Sequence, residues 1–96
     1  MRKIVWSPKA LNDVARLLRF IQAVNSDAAR RAVTVIRAGV KMLREHPEMG
    51  RPMHDLGAGI REKLVGFGAS VYVIRYRLKG NEILIAAIRH GREADF

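Results

Sequence analysis

The run VYVIRYRLKGNEILIAAIRHGRE, residues 71–93, restricts the fold more than any other stretch of the chain. It reads as two antiparallel strands joined at Lys79-Gly80-Asn81. β-Branched and aromatic residues crowd both sides of that tripeptide, as strands favour. Gly80 and Asn81 tolerate the positive φ that a tight turn demands. In the first strand Tyr72, Ile74, Tyr76 and Leu78 share one face, and Val71, Val73, Arg75 and Arg77 the other. The second strand, about Glu82 to Arg89, is apolar on both sides: Ile83, Ile85 and Ala87 alternate with Leu84, Ala86 and Ile88. Such a strand belongs inside a sheet or under a second layer. The residues upstream must therefore supply a cover.

Two amphipathic stretches do so. Lys3 to Ser7, centred on Ile4, Val5 and Trp6, is a short first strand, closed by Ser7-Pro8. Ser7 is suited to a helix N-cap and Pro8 to the first helical position, where its missing N–H is not needed. The first helix is predicted from Pro8 to about Val24. Leu11, Val14, Leu18 and Ile21 recur at spacings of three and four, and Ala15 and Leu17 widen the stripe. Asn25 or Ser26 caps a second helix from Asp27 to about Glu45. Its apolar face is Ala29, Ala32, Val33, Ile36, Val40 and Leu43. Gly39 inside it suggests close packing against the first helix. A connection this short predicts an antiparallel helical hairpin.

His46-Pro47 stops the second helix. Glu48 to Gly59 reads as an irregular connector, because Gly50, Pro52, Gly57 and Gly59 lie too close together for a regular element. Ile60 to Phe67 resumes strand character, with Arg61, Lys63, Val65 and Phe67 on one face, and Gly68-Ala69-Ser70 turns into the next strand. The predicted fold is α+β, one domain over residues 1–96 in the order β-α-α-β-β-β. An antiparallel sheet with an N-terminal strand is covered on one face by the two-helix hairpin. The other face stays partly open, with Arg75 and Arg77 on it. Phe67, Tyr72, Tyr76 and Trp6 are expected in the core.

Charge narrows the partners. The 96 residues carry 18 Lys and Arg against 9 Asp and Glu, a net charge of +9, with no detached basic tail. Such a surface attracts nucleic acid, acidic protein or anionic lipid. The absence of cysteine removes disulfides, thiolate catalysis and cysteine-based metal sites. No run approaches a membrane span, and the start lacks the apolar stretch of a signal peptide, so the expected location is the cytoplasm.

No phosphate-binding glycine loop, zinc-binding histidine pair or G-x-S-x-G turn is present. His46, His54 and His90 are too scattered for a metal site, and no cofactor is expected. One constellation carries chemistry: Arg61, Arg75, Arg77, Arg89, His90 and Arg92 lie on strands or at their ends. Arginine forks grip phosphate, and histidine moves protons near neutral pH. Together they form either a basic recognition surface or an RNA-cleaving site. The plain alternative is that Arg75 and Arg77 only solvate the open face. Arg30, Arg31, Arg37, Lys41 and Arg44 on the second helix are a solvated surface or an electrostatic one for a partner.

Several short segments, in this order and spacing, resemble the ParE/RelE superfamily of type II toxin–antitoxin toxins, the ParE-like branch most. They are Ile4-Val5-Trp6-Ser7-Pro8-Lys9-Ala10, His46-Pro47-Glu48-Met49-Gly50-Arg51-Pro52, Ile60-Arg61-Glu62, Tyr72 to Tyr76, and Ile88-Arg89-His90-Gly91-Arg92-Glu93. The resemblance implies a growth inhibitor silenced by a cognate antitoxin in a hetero-oligomer. The antitoxin would use strand addition and helix docking, with contacts at Trp6, Arg30, Arg37, Lys41, Arg44 and Tyr72. It leaves two targets open. ParE-like members block DNA gyrase by binding; RelE-like members cut mRNA on the ribosome. In the second case the catalytic candidates are Arg61, Arg75, Arg77 and His90. In the first, Arg61, Arg75, Arg77, Arg89, His90 and Arg92 would meet the target. Phe96 stands where some ribonucleases place a tyrosine. It cannot transfer a proton, which favours the gyrase reading.

Overall fold

The computed structural model describes residues 2–93; Phe96 lies outside the described residues. The chain forms strand β1 (Lys3–Trp6), helices α1 (Pro8–Gln22) and α2 (Ser26–Glu45), strand β2 (Arg51–Pro52), a 3₁₀ turn (His54–Leu56), and strands β3 (Ile60–Phe67), β4 (Ser70–Lys79) and β5 (Glu82–His90). Both caps act locally. Ser7 Oγ accepts the Ala10 N–H at 3.0 Å, with Pro8 following it, and Asn25 Oδ1 accepts the Ala28 N–H at 3.0 Å. Asn25, rather than Ser26, is thus the cap of α2, and α1 ends at Gln22, slightly before Val24.

The five strands lie in the order β1-β5-β4-β3-β2. β3, β4 and β5 form an antiparallel meander, and Gly80, at φ +57, turns the last hairpin. β1 joins β5 in parallel, Lys3 opposite Glu82 and Trp6 opposite Ile85. The helical hairpin and strands β2 to β4 run between them, more than the roughly dozen residues a parallel pair needs for its crossover. The connector is more regular than expected: Arg51 and Pro52 pair with Glu62 and Arg61 as a short edge strand, where proline is tolerated.

The helices cover one sheet face. Ile36, Val40 and Leu43 of α2 and Ala10 and Leu17 of α1 pack on Tyr72, Ile74, Tyr76, Ile83, Ile85 and Ile88. Phe67 and Trp6 are partly buried against this core. Two details of the sequence reading change. A Cβ on Gly39 would lie 2.7 Å from Val65 Cγ2, so this glycine admits β3, not α1. The buried stripe of α1 runs through Ala10, Asp13 and Leu17, and Leu11 is exposed. The helix is rotated so that the Asp13 carboxylate, rather than Leu11, reaches the sheet.

Candidate functional site

The candidate basic residues divide between the two faces of the sheet, and Arg61, Arg75 and Arg89 are committed within the fold. Arg61 lies on the helix side, opposite Tyr76. Its guanidinium donates to the carbonyls of Gly50 (2.7 Å) and Glu48 (2.9 Å). The Tyr76 hydroxyl donates to Pro47 O at 2.8 Å and accepts the Gly50 N–H at 2.9 Å. Residues 46–52 are thus a strap over the Tyr76 ring. Burial raises the Tyr76 pKa above its ordinary 10.0, against the lowering effects of the Gly50 N–H and of Arg61, while Glu48 adds to the rise. Tyr72 is raised by burial as well.

Arg75 lies on the open face, opposite Glu62 of β3. Its Nε and Nη2 both donate to Glu62 Oε2, at 3.0 and 2.9 Å, and Glu62 is only 8% exposed. Arg77, on the same face, is exposed. Arg89 is on that face too, beside Val73, and its guanidinium reaches back to the carbonyls of His90, Gly91 and Glu93 at 3.3–3.4 Å.

His90 turns the other way. Its ring stands edge-on to Tyr72, with centroids 5.5 Å apart and planes at 87°. Its Nδ1 accepts the Arg92 N–H at 3.0 Å, so the neutral ring carries its proton on Nε2. The His90 N–H donates to Glu93 Oε1 at 2.7 Å, and Arg16 of α1 holds the other oxygen of Glu93. His90 and Arg61 share the helix side but pair with residues four apart on β4, about 13 Å at strand rise. Arg61, Arg75, Arg77 and His90 therefore do not meet at one point.

Surface depressions lie beside several of these residues. A cleft of about 610 Å³ beside the end of α1 is lined by Arg16, Leu17, Ile21, Tyr72, His90 and Arg92. Phe20, 77% exposed, stands at its rim. A groove of about 380 Å³ runs between α2 and β1, the open edge of the sheet. It has Ile4, Trp6 and Val40 within it and Arg37, Lys41 and Arg44 around it. A third depression, about 420 Å³, lies on the open face over Leu64, Val71 and Val73, beside Arg89 and Arg92. Of the six proposed antitoxin contacts, Trp6, Arg37, Lys41 and Arg44 come together in the groove. Arg30 is elsewhere on α2, paired with Asp27. Tyr72 is 2% exposed and belongs to the α1 cleft.

Comparison with known proteins fits this frame. Residues 4–95 match the family model described as the ParE toxin of type II toxin–antitoxin systems, parDE. The chain belongs to this family. It is accordingly a toxin of a type II toxin–antitoxin system, with an antitoxin as its partner. It is 33% identical over 93 residues to Toxin RelE3 of Caulobacter vibrioides, covering 97% of this chain and 98% of that one. It is 36% identical over 90 residues to Toxin RelE1 of the same organism, covering 94% of each. A solved structure described as the chromosomal ParDE TA system from P. aeruginosa superposes with a TM-score of 0.75 at 26% identity, covering 92% of this chain and 94% of that one. Among the described residues no helix is long and apolar enough to cross a membrane.

Asp13, Glu62, Glu93 and Phe20 hold or line these features without having been among the candidate site residues. Asp13 did leave a signal: it is an acid set between Lys9 and Arg16, four and three residues away on one helix.

Proposed function

We propose that this ParE-family toxin arrests growth by binding DNA gyrase, and not by cutting RNA. The observation that carries this reading is the commitment of the catalytic candidates: Arg61 to the Pro47–Gly50 strap, Arg75 to Glu62, and the His90 Nδ1 to the Arg92 N–H. They occupy two faces and opposite ends of the sheet, whereas RNA cleavage needs a base, an acid and a positive clamp around one phosphate. A protein target needs only a surface. Arg77 and Arg92, with Arg75 and Arg89 on the open face, are the basic residues assigned to it.

The antitoxin is assigned to the groove between α2 and β1. An extended acidic segment adds to the free edge of β1, sets apolar side chains on Ile4 and Trp6, and places carboxylates near Arg37, Lys41 and Arg44. The toxin is silent in that cytoplasmic hetero-oligomer. The test is expression without the antitoxin. The reading expects the DNA-damage response, with gyrase-linked breaks, to precede any loss of message. Message cleavage and translation arrest appearing first would replace it with the ribonuclease reading.

A further inference from the structure

β5 changes phase in mid-strand. Ile83 and Ile85 lie opposite Leu78 and Tyr76, facing the helices, but Ala87 lies opposite Arg75, on the open face. Ala86 is the extra residue of a β-bulge. Beyond it Ile88 and His90 face the helices, opposite Ile74 and Tyr72, while Arg89 faces outward beside Val73. An unbroken strand starting from Ile83 would do the reverse, burying Arg89 under α1 and exposing Ile88.

β1 pairs with β5 only as far as Trp6 opposite Ile85, and around the bulge side chains take up backbone groups of β5. Ser7 Oγ donates to Ala86 O at 3.0 Å, and Asp13 Oδ2 accepts the Ile88 N–H at 2.9 Å. The Ser7 N–H also donates to Ile85 O at 3.0 Å. Asp13 is 7% exposed, and its charge is balanced by Lys9 at 3.1 Å and Arg16 at 3.6 Å. A buried carboxylate is retained only where it is hydrogen-bonded and paired.

We infer that Ser7 and Asp13 are positioning residues that lock β5 in its bulged phase, and so decide that His90 faces α1 while Arg89 faces the open sheet. Asp13 acts through the backbone of Ile88. Its link to growth arrest rests on the reading above, in which the end of β5 meets the target.

The test is NMR of the full chain. In the native protein the His90 ring is expected to show nuclear Overhauser contacts to Tyr72, and the Ile88 amide to be protected from exchange. Asp13→Ala is expected to remove the His90–Tyr72 contacts and to lower Ile88 protection about tenfold relative to Ile74 and Ile83. Asp13→Asn, which keeps an acceptor oxygen, is expected to restore both. A role in stability alone would lower protection at all three amides together and leave the His90 contacts in place, and that result overturns the proposal. Should Asp13→Ala not fold, Ser7→Ala is read in the same way. A second set of His90 signals supports the lock, and a single native set overturns it. Growth arrest separates the two readings. If Asp13→Ala shifts the register but still arrests growth, the target contact at the end of β5 fails and the register lock stands.

Discussion

A Cβ placed on Gly50 would lie 2.5 Å from the hydroxyl oxygen of Tyr76, closer than atoms approach without displacement. Gly50 and Tyr76 are a matched pair: the missing side chain lets the strap descend until its N–H meets the phenol. Two changes follow the same geometry. Tyr76→Phe leaves the buried Gly50 N–H and the Pro47 carbonyl without the hydroxyl, and should destabilise the fold by about 1–3 kcal/mol. Gly50→Ala should cost a similar amount, about 1–3 kcal/mol, by overpacking. In the Tyr76→Phe background Gly50→Ala should cost less, because the closest contact is gone, yet not vanish, because ring carbons remain at 2.7 and 2.9 Å. Urea unfolding of the four proteins reads the coupling, and strict additivity would contradict it.

The two arginines of β4 on the open face should behave differently. Arg75→Ala strips Glu62 of two charge-assisted hydrogen bonds while its carboxylate stays largely buried. Breaking a fully buried pair costs about 3–5 kcal/mol. Arg75 is itself partly exposed, so the loss here should fall below that range. Arg77→Ala should change stability by no more than about 0.5 kcal/mol, as exposed substitutions do. Equal effects in thermal unfolding would mean that the Glu62 pair contributes nothing.

Alkaline titration reads the core. The chain has two tyrosines, Tyr72 and Tyr76, and burial raises both above the ordinary 10.0. The folded state thus holds these protons more tightly than the unfolded state does. Their contribution to stability is complete below pH 10.0 and is lost as pH rises through the folded values. Phenolate absorbance should rise together with loss of the far-ultraviolet signal. Ionisation at the ordinary midpoint in a folded protein would contradict the burial.

How much of this was legible in the sequence follows from the range of each interaction. The hairpin at Gly80, the cap at Ser7 and the apolar face of α2 are local patterns, legible in the sequence, and of the two caps open for α2 the structure uses Asn25. The bulge at Ala86 is not local. Asp13, whose carboxylate meets the strand just beyond it, lies 75 residues before Ile88, and strict alternation groups Ile88 with Leu84 and Ala86, whereas it shares the helix side with Ile83 and Ile85. The strap depends on Gly50 and Tyr76, 26 residues apart, so the connector read as irregular. Arg61 and Arg75 were legible as cations, but a sequence does not say that their charge is already answered by Gly50 O and Glu62. Trp6, Arg37, Lys41 and Arg44 were named through the family resemblance; helical spacing puts the three cations off the apolar face of α2, but the pairing of β1 with β5 that brings Trp6 beside them is long-range.

Charge reversal tests the groove. Arg37→Glu with Lys41→Glu should slow association with the cognate antitoxin about tenfold or more at low salt, and flatten the salt dependence of the rate. Neither residue is in the core, so the fold should persist. Surface plasmon resonance across a salt series measures both quantities. An unchanged rate would move the acidic segment away from α2.

The most direct test of the central claim uses purified toxin with DNA gyrase in one reaction and with translating ribosomes in another. Binding without catalysis predicts that supercoiling falls in proportion to toxin added, reaches its limit near one toxin per target site, and recovers on adding antitoxin, with message intact in the ribosome reaction. Message cut by substoichiometric toxin over many turnovers, with gyrase unaffected, would contradict the account.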